Sequence, residues 1–580
     1  WWGSNYRSAS ILVDSDVTIH DSNFKVGNEG GLTDSSRNAI VVTSNTATVK
    51  DSDFDVLNDN NNAIRVDGGT LDISSSNVDA SLNGNYTGSA GTAATSTQID
   101  LNGSNNNGIM VKGGDANLTR VVINTKTGKF NNGVVNNGNG TVTDTNSAIT
   151  IGGTESNGIF QNGSGTTTLN GTQIALSGSN NNGIRVSDGT LNTSLSGKAA
   201  GGLTRGNITV GGTNNNGIFL DDSTNDITAN IVHTDISVNS TTGIGLLVGN
   251  HEKVNSNAAA NKNVKLNVSY TAIDASGTDG VADSNGAGVY IYNTGSTGYA
   301  KFNEATRIKG NGKDVLMNIN NYNFDSITAG SPVTNKVEFH GGTTSPAVGG
   351  GYTSAMETSG DQNIGINIAN GHNKRPTETS IKGELNTSFI GNHNIGILNN
   401  YYADKLDINL GLSGTNNVKP ASISENGVMT ADGEHNIMFA NLGYIKSGTF
   451  NIDALDMHGK GSIGVYLKGN SNPNNLLDTD RNNIGMITPE LKVQGVLGAT
   501  DGHSSANSND TPNSVGIYAV SGQRKEISQN VIGYVAGGTT TVGDLTVDVN
   551  IGLNENADNS VVLWAGEGTV INAKNSRKWV

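Results

Sequence analysis

The chain of 580 residues contains no cysteine, seven prolines, and aromatic side chains at only 5% of positions. Absent cysteine excludes a disulfide scaffold and any thiolate metal site. Charged residues make up 15% of the chain, well below the globular norm of roughly a quarter. Positive charge is scarcer still: 35 Lys and Arg face 51 Asp and Glu, for a net charge of -16 and a pI near 4.9. With no basic stripe, binding to nucleic acid or to an anionic membrane surface is not expected. No window approaches the roughly 18 apolar residues of a membrane-spanning helix. The opening Trp1-Trp2-Gly3-Ser4 lacks the basic segment and apolar run of a signal peptide. The final Lys578-Trp579-Val580 falls inside a repeat with no polar cap, so the sequence reads as a piece of a longer protein.

Glycine and asparagine are abundant instead. There are 79 Gly, and Asn is about one residue in seven. Such a composition suits disorder unless an apolar face recurs, and here it does. Asn180-Asn181-Asn182-Gly183-Ile184-Arg185-Val186 is followed by Ser187-Asp188-Gly189-Thr190-Leu191, and altered copies begin at Asn60, Asn105 and Asn214. Each copy combines a polar Asn cluster, a Gly expected to allow an unusual backbone angle, a short apolar strand and a Gly turn. One copy cannot bury its apolar face alone. Stacked copies can, with Ile over Ile and the Asn side chains in hydrogen-bonded ladders.

Early copies show three strands per coil of about 24 residues: Ile40-Val41-Val42, Ala47-Thr48-Val49 and Phe54-Asp55-Val56, then Ile64-Arg65-Val66, Leu71-Asp72-Ile73 and Val78. The expected fold is all-β, a right-handed parallel β-helix (solenoid) with loop or small-subdomain insertions. About 20 coils rising about 4.8 Å each would give a rod on the order of 100 Å. Ile40, Ile64, Ile159, Ile184, Ile218 and Ile244 are the expected stack of anchors, with the gap from Ile64 to Ile109 equal to two coils or one coil plus an insertion. Residues 1–250 read as regular Asn-Gly-Ile coils, 251–360 as an insertion-rich region with aromatic loops, and 361–580 as coils with Ile-Gly-Ile/Val repeats such as Asn363-Ile364-Gly365-Ile366. In the latter, Gly is expected at a tight corner beside the strand. Expected loops are Ser81 to Thr97, Asn131 to Gly140, Pro332 to Thr358, Gly469 to Arg481 and Thr500 to Asn513.

These NNNGI-like and Ser462-Ile463-Gly464-Val465-Tyr466-Leu467-like repeats resemble the passenger domains of large fusobacterial type V autotransporter adhesins, of the RadD-like or galactose-sensitive type. The resemblance implies a protein exported and anchored to the outer membrane through a C-terminal barrel outside this chain. It implies display on the bacterial cell surface and attachment to host cells or other bacteria. The implied ligands are host glycans of the Gal/GalNAc type or host surface receptors such as immunoglobulin-like immune receptors. No family binding motif transfers residue by residue.

Candidate ligand-binding residues therefore come from chemistry. A lectin site pairs an aromatic platform with Asn and Asp side chains, which points to Tyr290, Tyr292, Tyr299, Tyr322, Phe324, Tyr352, Tyr401 and Tyr402. The alternative for each ring is core filling. A passive stalk is the second reading of the whole segment. A polysaccharide-degrading β-helix enzyme is a third: polygalacturonases resemble one another in a set of which this chain holds fragments, Asp221-Asp222, Arg307-Ile308-Lys309 and Gly371-His372-Asn373. Their order is wrong and the second Gly is missing, so no catalytic residue and no cofactor is expected. Asp51, Asp53 and Asp55, with Asp59 nearby, would share a face if they lay on one strand and so could hold Ca²⁺, though a solvated outer face explains them as well.

Overall fold

A computed structural model describes residues 9–27, 37–76, 96–197, 203–222, 225–249, 262–279, 286–320, 333–340, 355–369, 377–383, 385–399, 402–410, 428–442, 444–457 and 462–468, and strands within 486–579. The chain divides into two units, Trp1–Gly249 with Val264–Asn267 and Thr271–Ile273, and Asn250–Asn263 with Val268–Tyr270 and Asp274–Val580. The described residues hold no helix. Each unit is a parallel β-helix.

In the first unit a coil consists of three short strands, for example Asn157–Gln161, Thr166–Asn170 and Gln173–Leu176. Each strand pairs in parallel with its copies in the coils before and after. Register fixes one column of anchors: Ile11, Ile40, Ile64, Ile109, Val134, Ile159, Ile184, Ile218 and Leu246. Those from Ile40 onward are no more than 1% exposed, and burying each contributes roughly 1.5–3 kcal/mol relative to leaving it in water. The facing columns are equally dry, with Phe54, Ile99, Ile123, Ile149, Ile174, Ile208 and Ile236 along one and Leu71 and Ile73 on another.

Two asparagine ladders run beside this column. Asn61, Asn106, Asn131, Ser156, Asn181 and Asn215 are buried, and the side-chain oxygen of each accepts a hydrogen bond from a backbone N–H of the preceding coil, as in Asn106 N to Asn131 Oδ1 at 2.9 Å and Asn181 N to Asn215 Oδ1 at 2.7 Å. Next to them Asn62, Asn107, Asn132, Asn157, Asn182 and Asn216 each donate Nδ2 to the Oδ1 of the equivalent Asn in the preceding coil, beginning with Asn38, at 2.7–2.9 Å. A net gain of about 1 kcal/mol per bond matters less than the larger penalty of leaving these groups unpaired.

Several expectations change. The unusual backbone angle belongs to the first Asn of each repeat, not the Gly: φ is +63° at Asn60, +58° at Asn105, +55° at Asn180 and +52° at Asn214. Asn tolerates the left-handed region best after Gly. Gly183 has an ordinary φ and is needed for space, since a Cβ there would stand 2.6 Å from the Gly217 carbonyl oxygen and 3.3 Å from Ile174 Cγ2. Gly365 likewise sits inside the strand Ile364–Ala369 rather than at a corner. Asn131 to Gly140 is not a loop, because Asn132–Asn136 is a strand whose Val134 takes the Ile place. Asn216, not Ile218, lies opposite Ile244, so Leu246 is the anchor. Ile64 pairs directly with Ile109, so that gap is one coil with an insertion. A similar widening before Ile218 contains a small antiparallel pair, Ser196–Gly197 with Leu203–Thr204. Residues 81–95, 469–481 and 500–513 lie outside the described residues.

The second unit repeats the scheme with larger core residues. Val289, Met317, Ile366, Ile397, Phe439 and Val465 form its anchor column, and Phe302, Phe339 and Phe389 are buried nearby. Its own ladder links Asn363 N to Asn394 Oδ1 and Asn394 N to Asn436 Oδ1, both at 2.8 Å. The expected excursion from Pro332 to Thr358 contains two sheet strands, Val333–Phe339 and Ala355–Thr358, paired in register on both sides; residues 341–354 lie outside the described set.

Several inward positions are polar, among them Thr125, Asn136, Gln161, Thr167 and Thr193, and one of them carries a carboxyl. Asp144 is aligned with Leu118 and Leu169 yet is 1% exposed. Burial pushes its carboxyl from 3.8 up to about 6, although Ser147 and Thr172 hydroxyls favour the charged form. A raised folded-state pKa means that this group favours folding most below about pH 4 and costs stability as pH rises through about 6. Asp144→Asn is therefore expected to stabilise the protein at pH 8, by up to about 3 kcal/mol, with the gain vanishing towards pH 4. Urea midpoints of both proteins across that range check this; a gain independent of pH would contradict it.

Candidate binding surfaces

Outward side chains of the coils form the accessible chemistry, and alternation within each strand dictates which they are. In the second unit, Tyr299–Phe302 buries Ala300 and Phe302 and turns Tyr299 and Lys301 out. Lys301 Nζ lies 4.3 Å from the centroid of the Tyr299 ring and 3.2 Å from Glu338 Oε2 on the next strand, where the two residues are register partners. His340 Nε2 stands 3.2 Å from the same carboxylate oxygen. Burial raises the Glu338 carboxyl, but His340 and Lys301 outweigh it and hold it below the ordinary value. This gives a partly exposed ring beside a fixed cation, an anion and an imidazole.

Tyr290 and Tyr292 stack with centroids 4.6 Å apart, and Asn320 Nδ2 donates to the Tyr290 hydroxyl at 2.8 Å. Tyr290 is only 3% exposed, so Tyr292 is the accessible member of the pair. Tyr322, Phe324, Tyr352 and Tyr401 lie outside the described residues. Tyr402 opens the strand Tyr402–Leu410, with its backbone opposite Tyr444. The described members of the expected set thus fall on two separate strand stacks.

Sequence reasoning missed a cluster in the first unit. The outward residue following each anchor is Met110, Val135, Phe160, Arg185, Phe219 and Leu247 in successive coils. Arg185 is held between Phe160 and Phe219, its guanidinium carbon 5.1 and 5.6 Å from their centroids. Its Nη2 donates at 2.6 Å to Asp221, whose side chain is 1% exposed. Aligning the repeats by their anchors would have placed these residues in one column. Phe130, 50% exposed with φ +58°, is a second missed feature, a bulky ring at the corner that carries Asn105 in the coil before and Glu155 in the coil after.

The described enzymatic fragments hold ion pairs. Asp221 belongs to the first unit and pairs with Arg185, whereas Arg307 and Lys309 belong to the second and pair with Glu357 and Asp274. Residues 371–373 lie outside the described set. The acidic run is not one face either: Asp51 precedes the strand Asp53–Val56, with φ +50°, and its Oδ1 accepts from Ser76 N at 2.6 Å. Asp53 and Asp55 do face outward, beside Asp100, with burial first and then Asp100 and Asp55 raising the Asp53 carboxyl. Lys126 and the amides of Gln98 and Asn124 satisfy Asp100. Among the described residues, no three His, Asp or Glu side chains converge as metal ligands do.

Removing Arg185 leaves the buried Asp221 carboxylate without its ion-pair partner and the two rings without their filler. Arg185→Ala is expected to cost about 3 kcal/mol, and Asp221→Ala in the same chain to recover part of it, as urea unfolding of the single and double variants would measure. Equal, additive losses would contradict that coupling. The chain matches no family model, no curated protein and no solved structure.

Proposed function

We propose that this chain is a segment of a bacterial surface adhesin, in which stacked coils present outward side chains to host glycans of the Gal/GalNAc type or to host protein receptors, attaching the cell to host cells or other bacteria. The supporting observation is the Tyr299, Lys301, Glu338 and His340 group: a partly exposed ring with hydrogen-bonding groups on adjacent strands, none of which fills the core. A pyranose ring offers an apolar face for stacking and hydroxyls for a carboxylate and an imidazole, so aromatic and polar groups side by side suit it. Rigid strands hold these groups at small entropic cost. In this proposal the protein reaches the surface by the autotransporter route, no catalytic step is assigned, and no cofactor takes part.

A passive stalk is the second reading, favoured by one face of the first unit. There the outward column Thr48, Asp72, Asn117, Thr143, Thr168 and Asn192 is short and polar, with no aromatic platform.

The test is binding of the purified segment to epithelial and immune cells, with and without excess galactose or N-acetylgalactosamine. The adhesin reading predicts saturable binding that falls at least about tenfold in the Tyr292→Ala/Tyr299→Ala variant, equivalent to about 1.4 kcal/mol. Competition by the sugars selects the glycan, and insensitivity selects a protein receptor. Absence of binding overturns the reading in favour of a stalk.

A further inference from the structure

The left-handed corner that precedes the asparagine ladder recurs in the second unit at Lys313, Gln362, His393 and His435, with φ of +57°, +61°, +59° and +57°. Backbone bonds lock these corners on one another: Gln362 N donates to Asn392 O at 2.9 Å and His393 N to Glu434 O at 3.0 Å. Side-chain oxygens brace them further, with Asn392 N to Asp361 Oδ1 at 2.7 Å and Glu434 N to Asn392 Oδ1 at 2.8 Å. His393 and His435 therefore occupy equivalent places in consecutive coils although 42 residues separate them in sequence.

Both imidazoles are exposed, and their centroids stand 5.3 Å apart with the rings tilted by 35°. Neither imidazole has a hydrogen-bond or ion-pair partner among the described residues. Two imidazoles bound to one tetrahedral ion, at Zn–N bonds of about 2.0–2.1 Å, place their centroids roughly 5 Å apart. The observed separation is within the span of a shared ion, and the exposed side chains are free to rotate a nitrogen of each ring towards it. Imidazole suits Zn²⁺, Ni²⁺ and Cu²⁺, and rejects the hard ions Ca²⁺ and Mg²⁺.

We propose that His393 and His435 form a two-histidine site for a divalent late transition-metal ion, Zn²⁺ foremost, with water in the remaining positions. Such an ion clips two consecutive coils together at a corner whose backbone is already fixed, so binding orders only two side chains. This site is separate from the aromatic surfaces and does not depend on their role.

The test titrates the full chain with ZnCl₂ at neutral pH by calorimetry. Asn is the residue that the same corner carries at Asn60, Asn105, Asn180 and Asn214, so His393→Asn and His435→Asn preserve the left-handed turn. The expected result is a Zn²⁺ site weakened at least about tenfold by either substitution alone, since each removes one of two protein ligands. Zn²⁺ should also raise the melting temperature of the wild type more than that of the double variant. Unchanged Zn²⁺ affinity in the double variant, or no binding by the wild type at millimolar Zn²⁺, overturns the proposal.

Discussion

Parallel pairing in register is the constraint on which each unit depends. Once a strand such as Asn182–Val186 must lie on Asn157–Gln161 with Asn opposite Asn and Ile opposite Ile, every other position inherits a fixed environment. A slip of one residue would turn Ile184 outward and break both asparagine ladders together. The ladders are thus register devices as much as bonds: a buried amide whose oxygen is met by the equivalent residue of a neighbouring coil penalises other alignments. Glycine acts from the other side. Gly133, Gly158 and Gly183 let successive strands approach where any Cβ would collide with the carbonyl of the next glycine.

The same constraint separates stability from surface chemistry. Inner columns are mostly apolar and ladders mostly amide, so the outward positions are free to vary, and they do, from Met110 through Phe160 and Arg185 to Phe219. Asp144 shows the cost of breaking the inner rule, a carboxyl driven up to about 6 by its surroundings. Phe130, His393 and His435 occupy corners where Asn would suffice, and such departures from local preference are where function is sought.

The architecture was legible because its signal repeats. Ile40, Ile64 and Ile184 announced a column, and the Asn clusters announced ladders. Glycine was misjudged because its two uses, a positive φ and close approach, leave the same mark in a sequence; only the φ of Asn180 and the packing of Gly183 tell them apart. Asn131 to Gly140 looked like a loop because valine replaces isoleucine at 134 and extra glycines surround it, though parallel pairing overrides composition there. Surface sites were harder to see. Lys301 and Glu338, or His393 and His435, meet only through register across coils of unequal length, and nothing in one copy encodes the length of the next.

The absence of cysteine allows the most direct measurement of that register. Thr143 and Thr168 are outward partners in consecutive coils, and Thr168 is in turn the partner of Asn192. Parallel neighbours about 4.8 Å apart lie within reach of a disulfide, and residues two coils apart do not. Thr143→Cys with Thr168→Cys is expected to close an intramolecular disulfide under mild oxidation, whereas Thr143→Cys with Asn192→Cys stays reduced. A bridge in the second pair, or none in the first, would contradict the stacked-coil account.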